Sequence, residues 1–287
     1  MLWTNLSLEE LARRMADLGT PVCPKTIKQF LDLHDMGHRQ AFKYVSMGEN
    51  KDRNAQFENI AGLKQSFLAS PNPIISMDTK KRELLGLFYR DGKLYIQETL
   101  RVYDHDFPSF GCGVVIPHGL YDLKRNLGYL NLGTSHDTSE FACDSLYQWW
   151  QADGRLAYPH ARSLLLLCDG GGQYLFKQDL QKVADLMRLE IRVAHYPPYT
   201  SKYNPIDHRL FAHVSRACQG VIFTQVEQVK YYMEKAHTST GLKVVVNILD
   251  KVYKTGRRIA EGFKKTMRIV FDPLLPKWNY RAVPAAN

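Results

Sequence analysis

The sequence predicts an α/β protein in which helices flank a mixed β-sheet. Two short apolar runs, Ile74-Ile75-Ser76-Met77 and Leu164-Leu165-Leu166-Leu167-Cys168, have the composition of buried strands, and each is followed by an aspartate. The predicted order of elements after residue 73 is strand, strand, strand, helix, strand, helix, strand, helix. Such an order is typical of α/β architecture with a mixed sheet.

The N-terminal residues predict two short helices joined by a turn. Ser7-Leu8-Glu9-Glu10 has the form of a capping box, and Pro24 suits the first turn of a second helix with Ile27, Phe30 and Leu31 on its apolar face. Such a pair is a helix-turn-helix candidate. Its side chains nearest the base edges would be Lys25, Thr26, Lys28 and Gln29. The alternative is an ordinary helical hairpin with a solvated lysine face, which the pattern alone favours.

A helix, two strands and a hairpin are predicted next. Phe57 to Leu68 has helical spacing, and Pro71-Asn72-Pro73 ends that helix. Residues 74–78 and Leu84 to Tyr89 are then predicted as strands that pair with each other across a short turn. Residues 119–132 predict a hairpin, and the stretch before it, up to Pro117, is expected to be irregular.

The second half of the chain predicts alternating helices and strands. Asp137-Thr138-Ser139-Glu140 repeats the capping-box form before a helix that carries Phe141 and Trp149. A strand ending at Asp169, a helix with Leu180 on its apolar face and a strand from Ile191 to His195 follow. Helices are predicted after Asp207 and from 226 to 236. The remaining residues form a basic C-terminal region.

The composition fits a folded basic protein. The chain has 287 residues, of which 45% are hydrophobic, and its formal net charge is +9. A polyanion such as nucleic acid is the simplest partner of this charge, although a basic protein without such a partner fits it equally well. Five scattered cysteines without a Cys-x-x-Cys spacing argue against a disulfide framework or a zinc knuckle. Neither a signal peptide nor a membrane-spanning run is evident, so we expect a cytoplasmic protein without membrane contact.

Three aspartates are the candidate catalytic residues. Asp78 and Asp169 follow predicted buried strands, at the edge where α/β proteins place ligand sites. Asp207 lies in Asn204-Pro205-Ile206-Asp207, which has the form of a helix start capped by Asn204, so a plain capping carboxylate is the alternative for Asp207. Three carboxylates about 5 Å apart repel one another by roughly 3 kcal/mol per pair, so such a cluster requires a cation. An all-oxygen site suits Mg²⁺ or Mn²⁺, and two such ions would support phosphoryl transfer on DNA.

The sequence resembles the DDE transposases of bacterial insertion sequences, within the ribonuclease H-like superfamily. The closest resemblance is to the ISAzo-type group, also called the Rhodopirellula-type DDE transposase domain. Matching segments run in the family's order and include 75–81, 116–123, 136–142, 168–172, 196–211 and 277–280. The resemblance implies that Asp78, Asp169 and Asp207 bind the metal, and that a helix-turn-helix near residues 7–33 recognises the terminal inverted repeats. A homo-oligomer on DNA and a nucleoid location are expected from the same resemblance.

Three departures from the family pattern favour a shortened, inactive copy. Asp207 stands where the group usually has glutamate, and Gly172 runs directly into Gln173 where relatives have a longer segment. The chain also begins where relatives already have an earlier DNA-binding segment. Efficient excision of a matched element would contradict this expectation.

Two other functions and a set of domain limits complete the predictions. Gly170-Gly171-Gly172 could be a phosphate loop of a nucleotide-binding protein, but Leu175 replaces the last glycine of that pattern. The other alternative is a non-catalytic DNA-binding regulator.

Lys202 could contact the scissile phosphate, although a solvated lysine is the simpler interpretation. The expected domains are a helix-turn-helix segment at 1–45, a linker and helix at 46–72, a catalytic domain at 73–236 and a basic region at 237–287.

Overall fold

The computed structural model describes residues 4–37, 39, 51–170 and 173–286, and the chain forms two compact units, residues 1–47 and 48–287. The start of the predicted linker, and Gly171 and Gly172 of the predicted glycine loop, lie outside the described residues. The domain limits expected from the sequence stay predictions.

The first unit contains the two predicted helices, α1 (Leu8–Asp17) and α2 (Pro24–Leu33). Only half of the capping box forms: Ser7 Oγ accepts the Glu10 amide at 3.2 Å, whereas the Glu10 carboxylate pairs with Arg13 at 2.6 Å. The predicted apolar face of α2 is partly wrong, because Ile27 is buried but Phe30 is 55% exposed. Whether the two helices bind DNA stays a prediction.

The second unit is organised around one mixed sheet. The order of its strands is β7-β4-β3-β1-β5-β6-β9-β8, with β2 paired to β3. The strands are β1 (Ile74–Thr79), β2 (Glu83–Leu85), β3 (Gly113–Asp122), β4 (Leu127–Gly133), β5 (Ser163–Cys168), β6 (Glu190–His195), β7 (Lys243–Ile248), β8 (Ile269–Phe271) and β9 (Asn279–Ala282). Central β1 is antiparallel to β3 and parallel to β5, and both runs that predicted buried strands are therefore adjacent in the sheet.

Two strand predictions are corrected by the sheet. The predicted strand Leu84 to Tyr89 is only three residues long, and it pairs with β3 rather than β1, because β3 and β5 already occupy both edges of β1. Buried Glu83 fixes this short strand through ion pairs to Lys80 at 2.6 Å and Arg90 at 3.0 Å. The stretch predicted as irregular up to Pro117 is wrong at its end, because β3 already begins at Gly113.

Helices cover both faces of the sheet. They are α3 (Arg53–Leu68), α4 (Ser139–Trp149), a π-helical turn (Trp150–Gly154) with α5 (Arg155–Ala157), α6 (Tyr174–Met187), a π-helical segment (Asp207–Phe211) with α7 (Ala212–Ala217), α8 (Val226–Met233) and α9 (Phe263–Thr266). One core includes residues of α4 and α6, and the opposite core includes residues 206–214 and α8. No helix in the described residues has the length and apolar character needed to cross a bilayer.

The region after residue 236 was predicted only as basic, yet it contributes three strands. β7 extends the β4 edge of the sheet in parallel, and β9 pairs antiparallel with β6. β8 and β9 are only three and four residues long, and in β7 only Val246 is fully buried, so none of the three has an apolar run like those that predicted β1 and β5.

Gly119 allows the segment that carries Asp207 to lie directly against the sheet. It is the β3 partner of Asp78. A Cβ at this position would lie 2.5 Å from Phe211 Cε1 and 2.9 Å from Ile206 Cδ1, and both of those side chains are buried. The close approach of helix and sheet beside Asp78 therefore requires glycine here.

Replacing Gly119 with alanine is expected to lower the free energy of unfolding by about 1–3 kcal/mol, because the packed core cannot accept the extra methyl group without displacement. The matched control is Gly62→Ala in α3, where an added Cβ meets nothing within 4 Å. That change should stabilise the chain by up to about 1 kcal/mol, since alanine favours helix. Urea denaturation of both variants checks the prediction, and equal effects would contradict it.

Candidate functional site

Asp78 and Asp169 lie side by side at the same end of two parallel strands. Met77 of β1 is in register with Cys168 of β5, so the next residues along the two strands are the two aspartates. Adjacent strands are about 4.8 Å apart, and residues in register project from the same face. Both side chains are half-buried. The parallel pairing thus brings both aspartates to one edge of the sheet, and their role as catalytic metal ligands stays a prediction.

Asp207 reaches the same region from a helix rather than from a strand. It opens the π-helical segment Asp207–Phe211, and its amide donates to the Asn204 carbonyl at 3.1 Å. π-Helical turns within helices are often found at functional sites. The Asp207 charge contributes to raising the pKa of both Asp78 and Asp169, which means that all three carboxylates share one electrostatic environment.

A buried polar network connects the three segments that carry the acids. Fully buried Ser76 donates its hydroxyl hydrogen to Asn204 Oδ1 and accepts the Ile206 amide at 3.1 Å. Asn204 Nδ2 donates to Asp169 Oδ1 at 3.2 Å and to the Met77 carbonyl at 3.4 Å. Asn204 was predicted as a helix cap; it does precede the helix, but its side chain joins the segments that bear Asp78, Asp169 and Asp207.

A cleft of about 480 Å³ opens beside the aspartate pair. Its lining includes Asp78, Thr79, His118, Asp137, Asp169 and Phe176. Asp207 is not among the described residues that line it. The capping role predicted for Asp137 is wrong, because Thr138 caps α4 by accepting the Phe141 amide. Asp137 instead accepts a hydrogen bond from Thr79 Oγ1 at 3.2 Å, and the residue lines the cleft.

The carboxylates of the site resist ionisation. Burial raises the pKa of Asp78 to about 7, and the Asp169, Asp207 and Asp137 charges raise it too, while the Thr79 amide lowers it. Burial raises the pKa of Asp169 to about 6, against the lowering effect of the Asn204 hydrogen bond. Burial also raises the pKa of Asp207, opposed by His208. A cation bound among these groups would remove this penalty.

The donor atoms suit a divalent cation, although no finished ligand set is present. The neighbouring Asp78 and Asp169 supply oxygen ligands of the kind that Mg²⁺ and Mn²⁺ prefer. Within the described part of the chain, no group of three or more His, Cys, Asp or Glu side chains is arranged to hold a metal ion. The predicted role of Asp207 as a third ligand therefore stays a proposal.

The residues predicted to contact DNA lie on exposed surfaces. Lys25, Lys28 and Gln29 are exposed on one side of α2, whereas Thr26 is half-buried and its hydroxyl lies 3.2 Å from Cys23 Sγ. Lys202 is exposed in the 3₁₀ turn Ser201–Tyr203, with its Nζ 5.1 Å from the centre of the Tyr203 ring. Their contacts with DNA stay predictions.

Comparisons with known proteins agree with this architecture. Solved structures of Mos1 transposase share the fold: its paired-end complex with the left transposon end is 18% identical, with a TM-score of 0.50 over 80% of this chain and 66% of that chain. The Mos1 strand transfer complex is 17% identical, with a TM-score of 0.48 over 80% of this chain and 65% of that chain. The chain thus spans slightly less than two thirds of those Mos1 chains. No curated protein matches it.

The fold shared with the Mos1 structures is a mixed sheet, and here two aspartates directly follow adjacent parallel strands of it. The family model for the Rhodopirellula transposase DDE domain matches residues 1–284. The chain belongs to this family. The resemblance inferred from the sequence motifs is confirmed, and so is the predicted ribonuclease H-like fold.

Without a bound cation, Asp78 should make stability fall as pH rises. Its folded-state pKa of about 7 lies above the usual 3.8, so the folded chain holds the proton more tightly than the unfolded chain. Stability is then fully present below about pH 4 and is lost as the pH passes 7. Because Asp78 keeps partial solvent access, we expect a loss of about 1–2 kcal/mol between pH 5 and pH 8, absent in Asp78→Asn.

Urea denaturation at both pH values with a chelator measures this difference. Exposed Asp250→Asn is the control and should keep the wild-type pH dependence. Adding Mg²⁺ at pH 8 should stabilise the wild type more than Asp78→Asn. Identical pH dependences for wild type and Asp78→Asn would contradict the assignment of the penalty to this carboxyl.

Proposed function

We propose that this chain is a DNA transposase that cleaves DNA strands at element ends and joins them to target DNA, with Asp78, Asp169 and Asp207 as its catalytic residues. The observation that carries the proposal is the register of β1 and β5, which sets two aspartates side by side where the Asn204 network also anchors the Asp207 helix. Membership of a DDE transposase family supports the same chemistry.

The three carboxylates would hold Mg²⁺ or Mn²⁺. Bound there, the ions would activate a water or 3′-hydroxyl and stabilise the leaving oxygen in an in-line phosphoryl transfer. The chain itself provides orientation: the Thr79 amide holds Asp78 Oδ1 at 2.8 Å, and Asn204 holds Asp169 Oδ1 at 3.2 Å. Fixing one oxygen of each carboxylate leaves the other free for the cleft, as preorganised catalysis requires.

DNA is the proposed partner, with terminal inverted repeats and target DNA as its two substrates. The net charge of +9 favours a polyanion, and α2 offers exposed Lys25, Lys28 and Gln29. The solved Mos1 complexes hold transposon ends, which supports DNA as the substrate class here. A homo-oligomer on DNA, in the bacterial cytoplasm at the nucleoid, completes the proposal.

Asp169→Ala should abolish Mg²⁺- or Mn²⁺-dependent nicking of terminal-repeat DNA and leave DNA binding intact, because it removes one carboxylate of the pair. The expected loss is at least about a hundredfold, as for other groups that act on the reacting atoms. Gel-based nicking and filter binding measure the two properties. Asp250→Ala, which removes an exposed carboxylate elsewhere, is the matched control. Binding without nicking by the wild type would favour the regulator, or the inactive copy expected from the sequence.

Lys202→Ala should weaken DNA binding about equally for different sequences, because a lysine contacts phosphate rather than base edges. The slope of log affinity against log salt should fall by about one. Lys93→Ala is the control, since Lys93 is also exposed but lies in the loop before β3. Filter binding across a salt series checks the prediction. An equal change for both lysines would show that Lys202 contributes only to the general positive charge of the surface.

A further inference from the structure

His118 has an unused polar atom beside the aspartate pair. The residue lies on β3 opposite Thr79, is only 3% exposed and lines the cleft. Its Nε2 atom is buried and has no hydrogen-bond partner among the described residues. Buried polar atoms are nearly always satisfied in native proteins, so an open one at the wall of a cleft indicates a ligand.

The hydrogen bonds around His118 determine which ring nitrogen carries the proton. Its Nδ1 lies 2.9 Å from Thr79 Oγ1, and that hydroxyl donates its only hydrogen to Asp137 Oδ1 at 3.2 Å. Thr79 Oγ1 must therefore accept from His118, which makes Nδ1 the donor. In the neutral imidazole, Nε2 is then a hydrogen-bond acceptor. The hydrogen bonds among Asp137, Thr79 and His118 thus leave one buried acceptor, Nε2, on a residue that lines the cleft.

The chemistry of the cleft restricts what this acceptor can bind. Nε2 and the carboxylates of Asp78, Asp169 and Asp137 are all acceptors, and a phosphate oxygen, which is also an acceptor, cannot form a hydrogen bond to Nε2. A hydroxyl group or a water has a hydrogen to donate. Asp78, Thr79 and His118 all line this cleft, so the residue that carries the acceptor shares the cavity of the proposed reacting atoms.

Packing alone does not account for a histidine here. The His118 ring packs against Phe141 with centroids 5.5 Å apart, a contact that phenylalanine would make without leaving a polar atom unpaired. An unpaired buried acceptor lowers stability relative to an apolar ring of similar shape. The hydrogen bond to Thr79 accounts for Nδ1, and the unpaired Nε2 atom is the part of the ring that packing leaves unexplained.

We propose that His118 Nε2 accepts a hydrogen bond from the attacking O–H group. This group belongs to water in strand cleavage and to the 3′ end of the DNA in strand transfer. This inference rests on the function proposed above. His118 orients the nucleophile beside Asp78, and Thr79 and Asp137 act through it by fixing its tautomer.

Two substitutions separate the ring nitrogens. The amide of His118→Asn can replace Nδ1 toward Thr79 but removes the acceptor in the cleft, whereas His118→Gln keeps a polar atom near the position of Nε2. We expect Asn to slow nicking, strand transfer or both about tenfold, the effect of one lost hydrogen bond, and Gln to remain within about threefold of wild type. His118→Phe should match Asn in rate without lowering the thermal stability, because it removes an unpaired buried acceptor. Equal rates for Asn, Gln and wild type in both reactions would overturn the proposal.

Imidazole ¹⁵N NMR of the wild-type protein gives a readout that does not depend on catalysis. The free protein should show the Nδ1–H tautomer, and a DNA end with a 3′-hydroxyl should shift the Nε2 resonance more than a dideoxy end. A shift without any nicking would disprove the proposed activity and keep the hydroxyl contact. Two outcomes would overturn the role of His118 while keeping the proposed activity. One is nicking by a wild-type protein that carries the Nε2–H tautomer. The other is nicking with equal Nε2 shifts for both DNA ends and unchanged rates in the Asn variant.

Discussion

The hydrogen bond between Ser76 and Asn204 is the constraint on which the candidate site depends. Ser76 lies two residues before Asp78 on the same face of β1, and Asn204 lies three residues before Asp207. Both are fully buried, so their polar atoms must be paired inside the protein. Asn204 uses its amide nitrogen on Asp169 and the Met77 carbonyl, and Ser76 also accepts the Ile206 amide. Separating these segments would leave several buried groups unpaired at once, which holds the acid-bearing segments in one arrangement.

This polar network supports a site that is electrostatically unfavourable by itself. Burial and mutual repulsion raise the pKa of Asp78 to about 7 and that of Asp169 to about 6. Only the Asn204 and Thr79 hydrogen bonds act in the opposite direction at these two carboxyls. A fold that keeps carboxylates together without a paired cation stores free energy that a divalent ion can release on binding. This electrostatic cost is thus located at the aspartates where the proposed chemistry occurs.

The sequence predicted the centre of the fold better than its edges. Apolar runs of four or five residues predicted β1 and β5, and their following aspartates were placed correctly because parallel strands end at one edge of a sheet. β7 was missed because its burial is mixed along the strand, and β8 and β9 were missed because they are only three and four residues long. The pairing of β2 was wrong because proximity in sequence favours a hairpin, whereas the edges of β1 were already taken by β3 and β5.

Site residues outside the acids left weaker signals. Ser76 is a polar residue in an otherwise apolar strand, and this signal could have indicated a buried hydrogen bond. Asn204 before Pro205 matched a helix cap so well that its side-chain contacts could not be foreseen. His118 and Asp137 meet only through Thr79, across three separate segments, and no spacing within a single segment encodes such a contact.

The rigidity of the Asn204 segment gives physical meaning to aspartate at position 207. The family resemblance implies glutamate at this position, whose carboxylate would reach about 1.5 Å further, the length of one carbon–carbon bond. A flexible backbone could compensate by moving closer to Asp78. Here Asn204 and Ile206 are both bonded to Ser76, and Phe211 already touches the sheet at Gly119, so the segment has little freedom to advance. The same contacts therefore fix how far the Asp207 carboxylate can extend, so its proposed role as a third metal ligand depends on where this segment is anchored.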